Sequence, residues 1–226
     1  MGILAWMSTN SALLRIYDFL ALGVFNFWVW RCPTGSILLP FFNKHIGEGA
    51  HLDVAVGTGY YPATSVHRLS KCKNVALLDT NPRALDVAAA RLRAAGYKGA
   101  IEKVHHSVFE SLPNSLRGKF DSISIFYTLN RLPGSFPPKA SHVFAVLSAG
   151  LAPDGVLYGA TILGKTADHT LLSRALLWLY NRRGWFGNKV DSVENLEKAL
   201  RGMFEEVQVR VVGVVALFEA RRPIPR

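Results

Sequence analysis

The sequence predicts an α/β fold: a seven-stranded, mostly parallel sheet with helices on both faces, closed by a C-terminal antiparallel hairpin. Three observations predict it. Short apolar segments alternate with helix-length amphipathic segments through the first two thirds of the 226 residues, the spacing of crossover units between parallel strands. The strand segments are mostly apolar or small at successive positions, as burial on both faces requires. Near the end, "VQVRVVG" and "VVALFEARR" follow each other with Gly213 at the junction, and strands joined this tightly can pair only antiparallel.

Residues 51–56 form the first strand, which runs into "VGTG". Tyr61 to Ser70 reads as a helix, and "NVALLD", Asn74 to Asp79, as the second strand. The next helix is clearly punctuated: Asn81 is the N-cap, Pro82 fits the first helical position and Gly96 ends it. Ala84, Ala88, Leu92 and Ala95 share its apolar face. "AIEKVHHSVF" is the third strand and "FDSISIFYTL", Phe120 to Leu129, the fourth. Lys139 to Gly150 is helical, and "GVLYGATIL", Gly155 to Leu163, is the fifth strand.

The final third departs from simple alternation. Asp168 to Arg183 is a helix with Leu171, Leu172, Ala175, Leu176 and Leu179 on its apolar side. Asp191 with Glu194 forms a capping box for another, whose inner face is Val193, Leu196, Leu200 and Met203. With no internal repeat or linker, the chain reads as one domain over 1–226. A helical lid covers 1–45, the core takes 46–226, and a lid insertion falls around 165–190.

Half the residues are hydrophobic and 19% are charged, which argues against disorder. The formal charge of +10 hints at an acidic surface or nucleic acid, but the basic residues are scattered rather than striped. Cys32 and Cys72 have neither metal-ligand nor disulfide spacing, so both read as buried packing residues in a reducing, cytoplasmic setting, with no metal expected. "FLALGVFNFWVW", Phe19 to Trp30, is strongly apolar but only twelve residues long. A bilayer span takes about 20. It reads as a buried helix or lid, with membrane-surface contact the lesser alternative.

The stretch "HLDVAVGTGYYP" marks the ligand site. Turns after the first strand of such a sheet lie at its carboxyl edge, where open α/β proteins bind ligands. Gly57 and Gly59 allow close approach of backbone to ligand. Asp79 ends the second strand, about 20 residues beyond the first glycine, where a carboxylate can accept both hydroxyls of a ribose. This argues for an adenosine-containing ligand. Pro62 stands where a dinucleotide fingerprint has its third glycine, and Asp53 could face a cationic aminoacyl group. The terminal hairpin is also not how the dinucleotide fold closes. All three favour S-adenosyl-L-methionine over NAD.

"LDVAVGTG", the strand ending in Asp79, "FDSISIFYTLNRLPG" and "LAPDGVLYGATIL" resemble, in order, the motifs of class I S-adenosylmethionine-dependent methyltransferases. The likeness covers about His45 to Ala220, and is closer to small microbial members with a "WRCPT" segment before the first strand, here Trp30 to Thr34. It implies a Rossmann-like seven-stranded sheet. It also implies that Gly57, Thr58 and Gly59 line the methionine and ribose end of the cofactor, with Asp53 near the amino group. Asp79 would hold the ribose, Thr80 and Asn81 would flank the adenine, and Ser107, Val108 and Tyr127 would complete the site. Ala55 replaces a customary glycine, Ser107 a customary acidic residue, and Asn130 a histidine found in many members.

In methyl transfer from a sulfonium the cofactor is the electrophile, and the protein aligns the acceptor and, where needed, removes its proton. "FYTLNRLPG" lacks the Asn-Pro-Pro-Tyr pattern of enzymes acting on base amino groups, so nucleic acid is not the expected substrate. Aromatic residues crowd both lids, with Tyr17, Trp28, Trp30, Trp178 and Trp185 as candidate pocket residues. They suggest oxygen methylation of a small apolar metabolite. The catalytic residues stay open, with His106, His169 and Asn130 as candidates. Rival readings are a cyclase, isomerase or non-catalytic subunit on the same fold, a dinucleotide-dependent oxidoreductase and a membrane-surface module.

Overall fold

A computed structural model of the chain describes residues 16–166 and 168–225. Its sheet holds β1 (Ala50–Val54), β2 (Asn74–Asp79), β3 (Ala100–His105), β4 (Phe120–Phe126), β5 (Leu151–Ile162), β6 (Phe204–Val212) and β7 (Val215–Pro223). The order is β3-β2-β1-β4-β5-β7-β6. All pairings are parallel except those of β7, which runs antiparallel to both β5 and β6. Chain order reverses between β1 and β4, and ligands of open α/β sheets bind outside the strand ends at that switch point.

Side chains alternate across the sheet, which builds two cores. Leu52, Val54, Leu78, Ile123 and Ile125 face one way, with Phe144, Leu147, Leu196 and Leu200. These last four come from α5 (Pro138–Ser148) and α7 (Val193–Arg201). Val75, Leu77, Tyr158, Ile162 and Leu217 face the other way. That face is covered by α1 (Leu39–His45), α2 (Tyr60–Thr64), α3 (Val66–Leu69), α4 (Pro82–Ala94), α6 (Leu171–Arg182) and the N-terminal π-helix Phe19–Val29. Cys32 and Cys72 are both buried and free. Burial pushes the Cys32 thiol up to about 12 and the Cys72 thiol up to about 11, so both remain uncharged packing groups.

The expected elements are present, with local corrections. The helix expected over Tyr61 to Ser70 breaks at Ser65 into α2 and α3. The third strand stops at His105, because the Ser107 hydroxyl accepts the Phe109 amide and folds the next residues into a turn. The fourth stops at Phe126, because Tyr127 enters the left-handed region at φ 52. Asn81 does cap α4, accepting the Arg83 amide at 3.1 Å, but Leu85 rather than Ala95 completes the buried face. Ser192, not Asp191, caps α7 by accepting the Asn195 amide. In α6 the inward edge is narrow, Ser173 and Leu177, so Leu171 and Leu172 lie outward, 83% and 53% exposed.

Asp191 has a different use. Its carboxylate takes the Lys139 ammonium at 2.7 Å and the Phe136 amide at 2.9 Å. Lys139 also donates to the Gly187 carbonyl at 2.8 Å. Both side chains are essentially inaccessible, at 1% and 0% exposure. Burial pushes each toward its neutral form, and the hydrogen bond between them pulls each back. The pair ties α5 to the segment following α6.

The π-helix carries no charged residue, and its buried Asn26 donates to the Thr34 hydroxyl at 2.8 Å. The segment is anchored at its far end by the hairpin, where the Val214 amide donates to the Trp30 carbonyl at 3.0 Å. Gly213 turns at φ 59, and a Cβ there would strike that same carbonyl. Among the described residues no helix is long and apolar enough to cross a membrane. The first part of the lid expected over 1–45 lies outside the described residues.

Breaking a buried ion pair strands its partner, at a cost of about 3–5 kcal/mol. Asp191→Ala is expected to lose stability of that order in urea unfolding. Asp191→Leu with Lys139→Met is expected to recover most of it.

Candidate active site

β1 ends in a turn with three residues at positive φ: Ala55 at 56, Gly57 at 55 and Gly59 at 69. The Ala55 and Val56 amides both donate to the Leu78 carbonyl, at 2.7 and 3.2 Å, which binds the turn to the end of β2. The two glycines serve different ends. A Cβ on Gly59 would lie 2.7 Å from the Ala88 Cα, so Gly59 is where α4 packs on the turn. A Cβ on Gly57 would meet nothing nearer than 3.9 Å, so this side of the turn is open to a ligand. Ala55 holds its left-handed conformation without glycine's freedom, which costs roughly 1–2 kcal/mol.

Asp79 braces the turn from β2. One carboxylate oxygen accepts the Gly57 amide at 3.1 Å and the other the Asn81 amide at 2.9 Å. A second brace comes from the N-terminal segment. Buried Asp18 accepts the Thr58 hydroxyl at 2.8 Å and pairs with Arg91 of α4 at 2.5 Å, while Arg91 also reaches the Thr58 carbonyl at 3.2 Å. Neither Asp18 nor Arg91 is in the residue set expected from sequence. The available signal was a lone carboxylate beside a helix without charged residues. Asp18 and Arg91 also line a cleft of about 450 Å³ with Phe19, Phe27 and Tyr60.

Asp53 lies beneath the turn, 5% exposed, and accepts the Ser124 hydroxyl at 2.5 Å. Burial pushes its carboxyl up to about 7; the Ser124 hydrogen bond opposes this and the Asp79 charge adds to it. Thr80 is exposed, its carbonyl facing His105 Nε2 at 3.0 Å. Asn81 and Ser107 spend their side-chain oxygens on the cap and turn described above. Val108 points into the opposite core with Leu112 and Leu116, so any contact with a ligand at the strand ends must come from its backbone.

Just after β4 the Tyr127 hydroxyl and both side-chain amide atoms of Asn130 are buried without a partner among the described residues, as are hydroxyls elsewhere in the fold such as those of Ser65 and Thr161. Buried polar groups in native proteins are nearly always bonded, so the Tyr127 and Asn130 groups at the β4 end have capacity left for a polar ligand. The Asn130 main-chain carbonyl accepts the Gly187 amide at 2.9 Å, which places Asn130 beside the aromatic segment that follows α6.

There, buried Trp30 packs on Tyr180 and Phe186 with ring centroids 6.4 and 6.1 Å away, and Tyr17 lies close enough to act on the Tyr180 hydroxyl. The other expected pocket tryptophans face solvent, Trp28 at 68%, Trp178 at 62% and Trp185 at 46% exposed. Arg182 covers the ring of Trp178 and Arg183 that of Trp185, and such cation–π contacts are available to outward-facing rings. The two candidate histidines serve locally. His106 Nε2 faces the Glu110 and Ser111 carbonyls at 3.3 and 3.1 Å. His169 has Nε2 on the Leu163 carbonyl and Nδ1 on the Ser173 hydroxyl, and burial pushes its pKa down.

An open glycine, a carboxylate across the turn and orphaned hydroxyl and amide groups fit an adenosyl amino acid. Fold and site together define an S-adenosylmethionine-dependent methyltransferase, with S-adenosylmethionine as cofactor. The chain belongs to the ubiE/COQ5 methyltransferase family, which residues 16–152 match. YbcY of Escherichia coli K12 is 41% identical over 199 residues, 88% of this chain and 98% of its own. The physcion biosynthesis cluster O-methyltransferase of Aspergillus chevalieri is 39% identical over 214 residues, 95% of this chain and 93% of its own. The fold is shared with the N-methyltransferase NodS of Bradyrhizobium japonicum WM9, solved with S-adenosyl-l-homocysteine. That match has a TM-score of 0.61 at 16% identity and covers 98% of this chain and 97% of the other.

Relieving a left-handed residue stabilises a protein by about 1 kcal/mol. Ala55→Gly should therefore raise the urea midpoint with an unchanged slope. Gly59→Ala, which drives a methyl group into backbone, should lower it severely.

Proposed function

We propose that the protein transfers a methyl group from S-adenosylmethionine to an oxygen of a small apolar metabolite bearing a phenolic hydroxyl or carboxyl group. The observation that carries this reading is the buried, unpartnered amide of Asn130 beside the Trp30–Tyr180–Phe186 cluster. Aromatic walls suit an apolar body, and an amide that can donate and accept suits one oxygen-bearing end. The name of the Aspergillus chevalieri relative, an O-methyltransferase, supports an oxygen acceptor.

The bound cofactor supplies an electrophilic methyl group, so the chain's own work is binding and alignment. Asp79 would receive the ribose hydroxyls, Gly57 and Gly59 the chain between ribose and methionine, and Asp53 the ammonium group. Thr80 and Asn81 would flank the adenine, with Ser107 and the Val108 backbone at its far edge and Tyr127 at the methionine end. Asn130 would orient the acceptor oxygen. A carboxylate or an acidic phenol reaches the site ionised and needs no base, in keeping with the local uses of His106 and His169; a phenol of ordinary acidity, with a pKa of about 10, would give its proton to water as the methyl group arrives. The N-terminal segment and residues 165–190 would roof one domain, with no nucleic acid as partner and a cytoplasmic setting.

The test combines calorimetry of S-adenosylmethionine and S-adenosylhomocysteine with a screen of phenols, carboxylic acids and amines using methyl-labelled cofactor. The expected result is micromolar cofactor binding and label on oxygen of an aromatic acceptor. Label on nitrogen or carbon, or binding without transfer, contradicts the proposal. Asp79→Ala is expected to weaken cofactor binding at least tenfold, since hydrogen bonds to a charged acceptor contribute about 1.5–3 kcal/mol.

A further inference from the structure

β1 and β4 carry a buried polar chain that the binding turn does not account for. They pair in register, His51 opposite Ser122 and Asp53 opposite Ser124, so all four side chains project from one face. His51 is wholly buried, with Nδ1 2.8 Å from the Ser122 hydroxyl and Nε2 3.2 Å from the Ser124 hydroxyl. Ser124 in turn lies 2.5 Å from Asp53 Oδ1, and the Gly47 amide donates to Ser122 at 3.0 Å. Phe42 and Tyr158 flank the imidazole, their ring centroids 5.7 and 6.3 Å from it.

The direction of these bonds follows from chemistry. Burial pushes the His51 pKa down to about 3, so the ring is neutral, with one donor and one acceptor nitrogen. An ionised Asp53 can only accept, so the Ser124 hydroxyl donates to it; the alternative acceptor, the Leu52 carbonyl, is farther at 3.4 Å. The Ser124 oxygen then accepts from His51 Nε2–H. With Asp53 ionised, Nδ1 accepts from the Ser122 hydroxyl, whose oxygen takes the Gly47 amide, while the nearby Ser122 main-chain carbonyl favours the opposite tautomer. In that state every proton in the chain points toward Asp53, and such chains polarise cooperatively.

Asp53 has few other sources of support. Asp79 on β2 repels its charge, and the uncharged phenols of Tyr61 on α2 and Tyr158 on β5 lie close. His51, two residues earlier on β1, is neutral. No cation is among the groups that act on Asp53 within the described residues.

We propose that Ser124 and His51 are positioning residues, a one-way hydrogen-bond relay that keeps Asp53 an ionised, aimed carboxylate for the ammonium group of the cofactor. This rests on the reading of Asp53 given under the proposed function. The ionised carboxylate binds the cation, so cofactor affinity is present above the Asp53 pKa and is lost as pH falls through it. Removing the Ser124 hydroxyl removes the bond that favours the charged form, so the pKa rises and the loss begins at higher pH.

The test measures the dissociation constant of S-adenosylhomocysteine, which carries the same ammonium group, from about pH 5.5 to 9 on the full chain. In the parent protein affinity should fall with a midpoint near neutrality. Ser124→Ala should move that midpoint up by about one pH unit, binding up to tenfold more weakly below it. Ser124→Thr, which restores the hydroxyl, should return it. His51→Gln should give a smaller shift in the same direction. A merely structural serine would change the melting temperature and leave the midpoint in place. Should Ser124→Ala not fold, Ser124→Cys, a poorer donor, must shift the midpoint the same way. If Asp53→Asn binds as tightly as the parent with the same pH profile, the reading of Asp53 fails. If Asp53→Asn weakens binding but the Ser124 variants keep the parent midpoint, the relay alone is overturned.

Discussion

The structure depends on a turn that leaves a buried strand and starts a helix, with positive φ at Ala55, Gly57 and Gly59. L-residues resist that conformation, so it persists only where its surroundings over-determine it. Two braces do so from opposite sides. Asp79 accepts the Gly57 amide from β2, and Asp18 joins Thr58 to Arg91 from the N-terminal segment. Ala88 closes the floor beneath Gly59. What remains open is the Gly57 side, facing the crevice where the strand order reverses.

The same logic explains the placement of the aromatic segments. The N-terminal segment and α6 lie on the face of the sheet that carries His51, Asp53 and Tyr158. Trp30 is held by the hairpin at Val214, and the segment after α6 by the Lys139–Asp191 pair and the Asn130–Gly187 bond. Elements distant in sequence are thus pinned beside the β4 end by a few buried polar contacts. Apolar packing alone could slide. Directional bonds to fixed carbonyls and carboxylates cannot, and this fixes the segments that flank the β4 end.

Much of this was legible in the sequence. Seven strands, their mostly parallel order, the Asn81 cap and the turn "VGTG" followed from period, punctuation and glycine placement, all of which are local. The errors share a cause. Asp191 looked like a cap because it stands before Glu194, yet its carboxylate is occupied by Lys139, distant in sequence. Leu171 and Leu172 looked inward because periodicity finds an apolar stripe but not which edge of it meets the core. Asp18 and the Ser122–Ser124 rail were missed for the same reason: a polar residue in an apolar run reveals its purpose only when its partner on another element is known. Trp28, Trp178 and Trp185 show that aromatic composition does not say which rings face inward.

Whether the cofactor sits on the β1 turn is tested most directly by an amide nitrogen–proton NMR titration of the assigned protein with S-adenosylhomocysteine. The largest shifts are expected on Gly57, Thr58, Gly59 and Asp79, with Tyr127 among those that follow. Shifts centred instead on the outward side of α6, with the Gly57 and Asp79 amides unmoved, would contradict that placement.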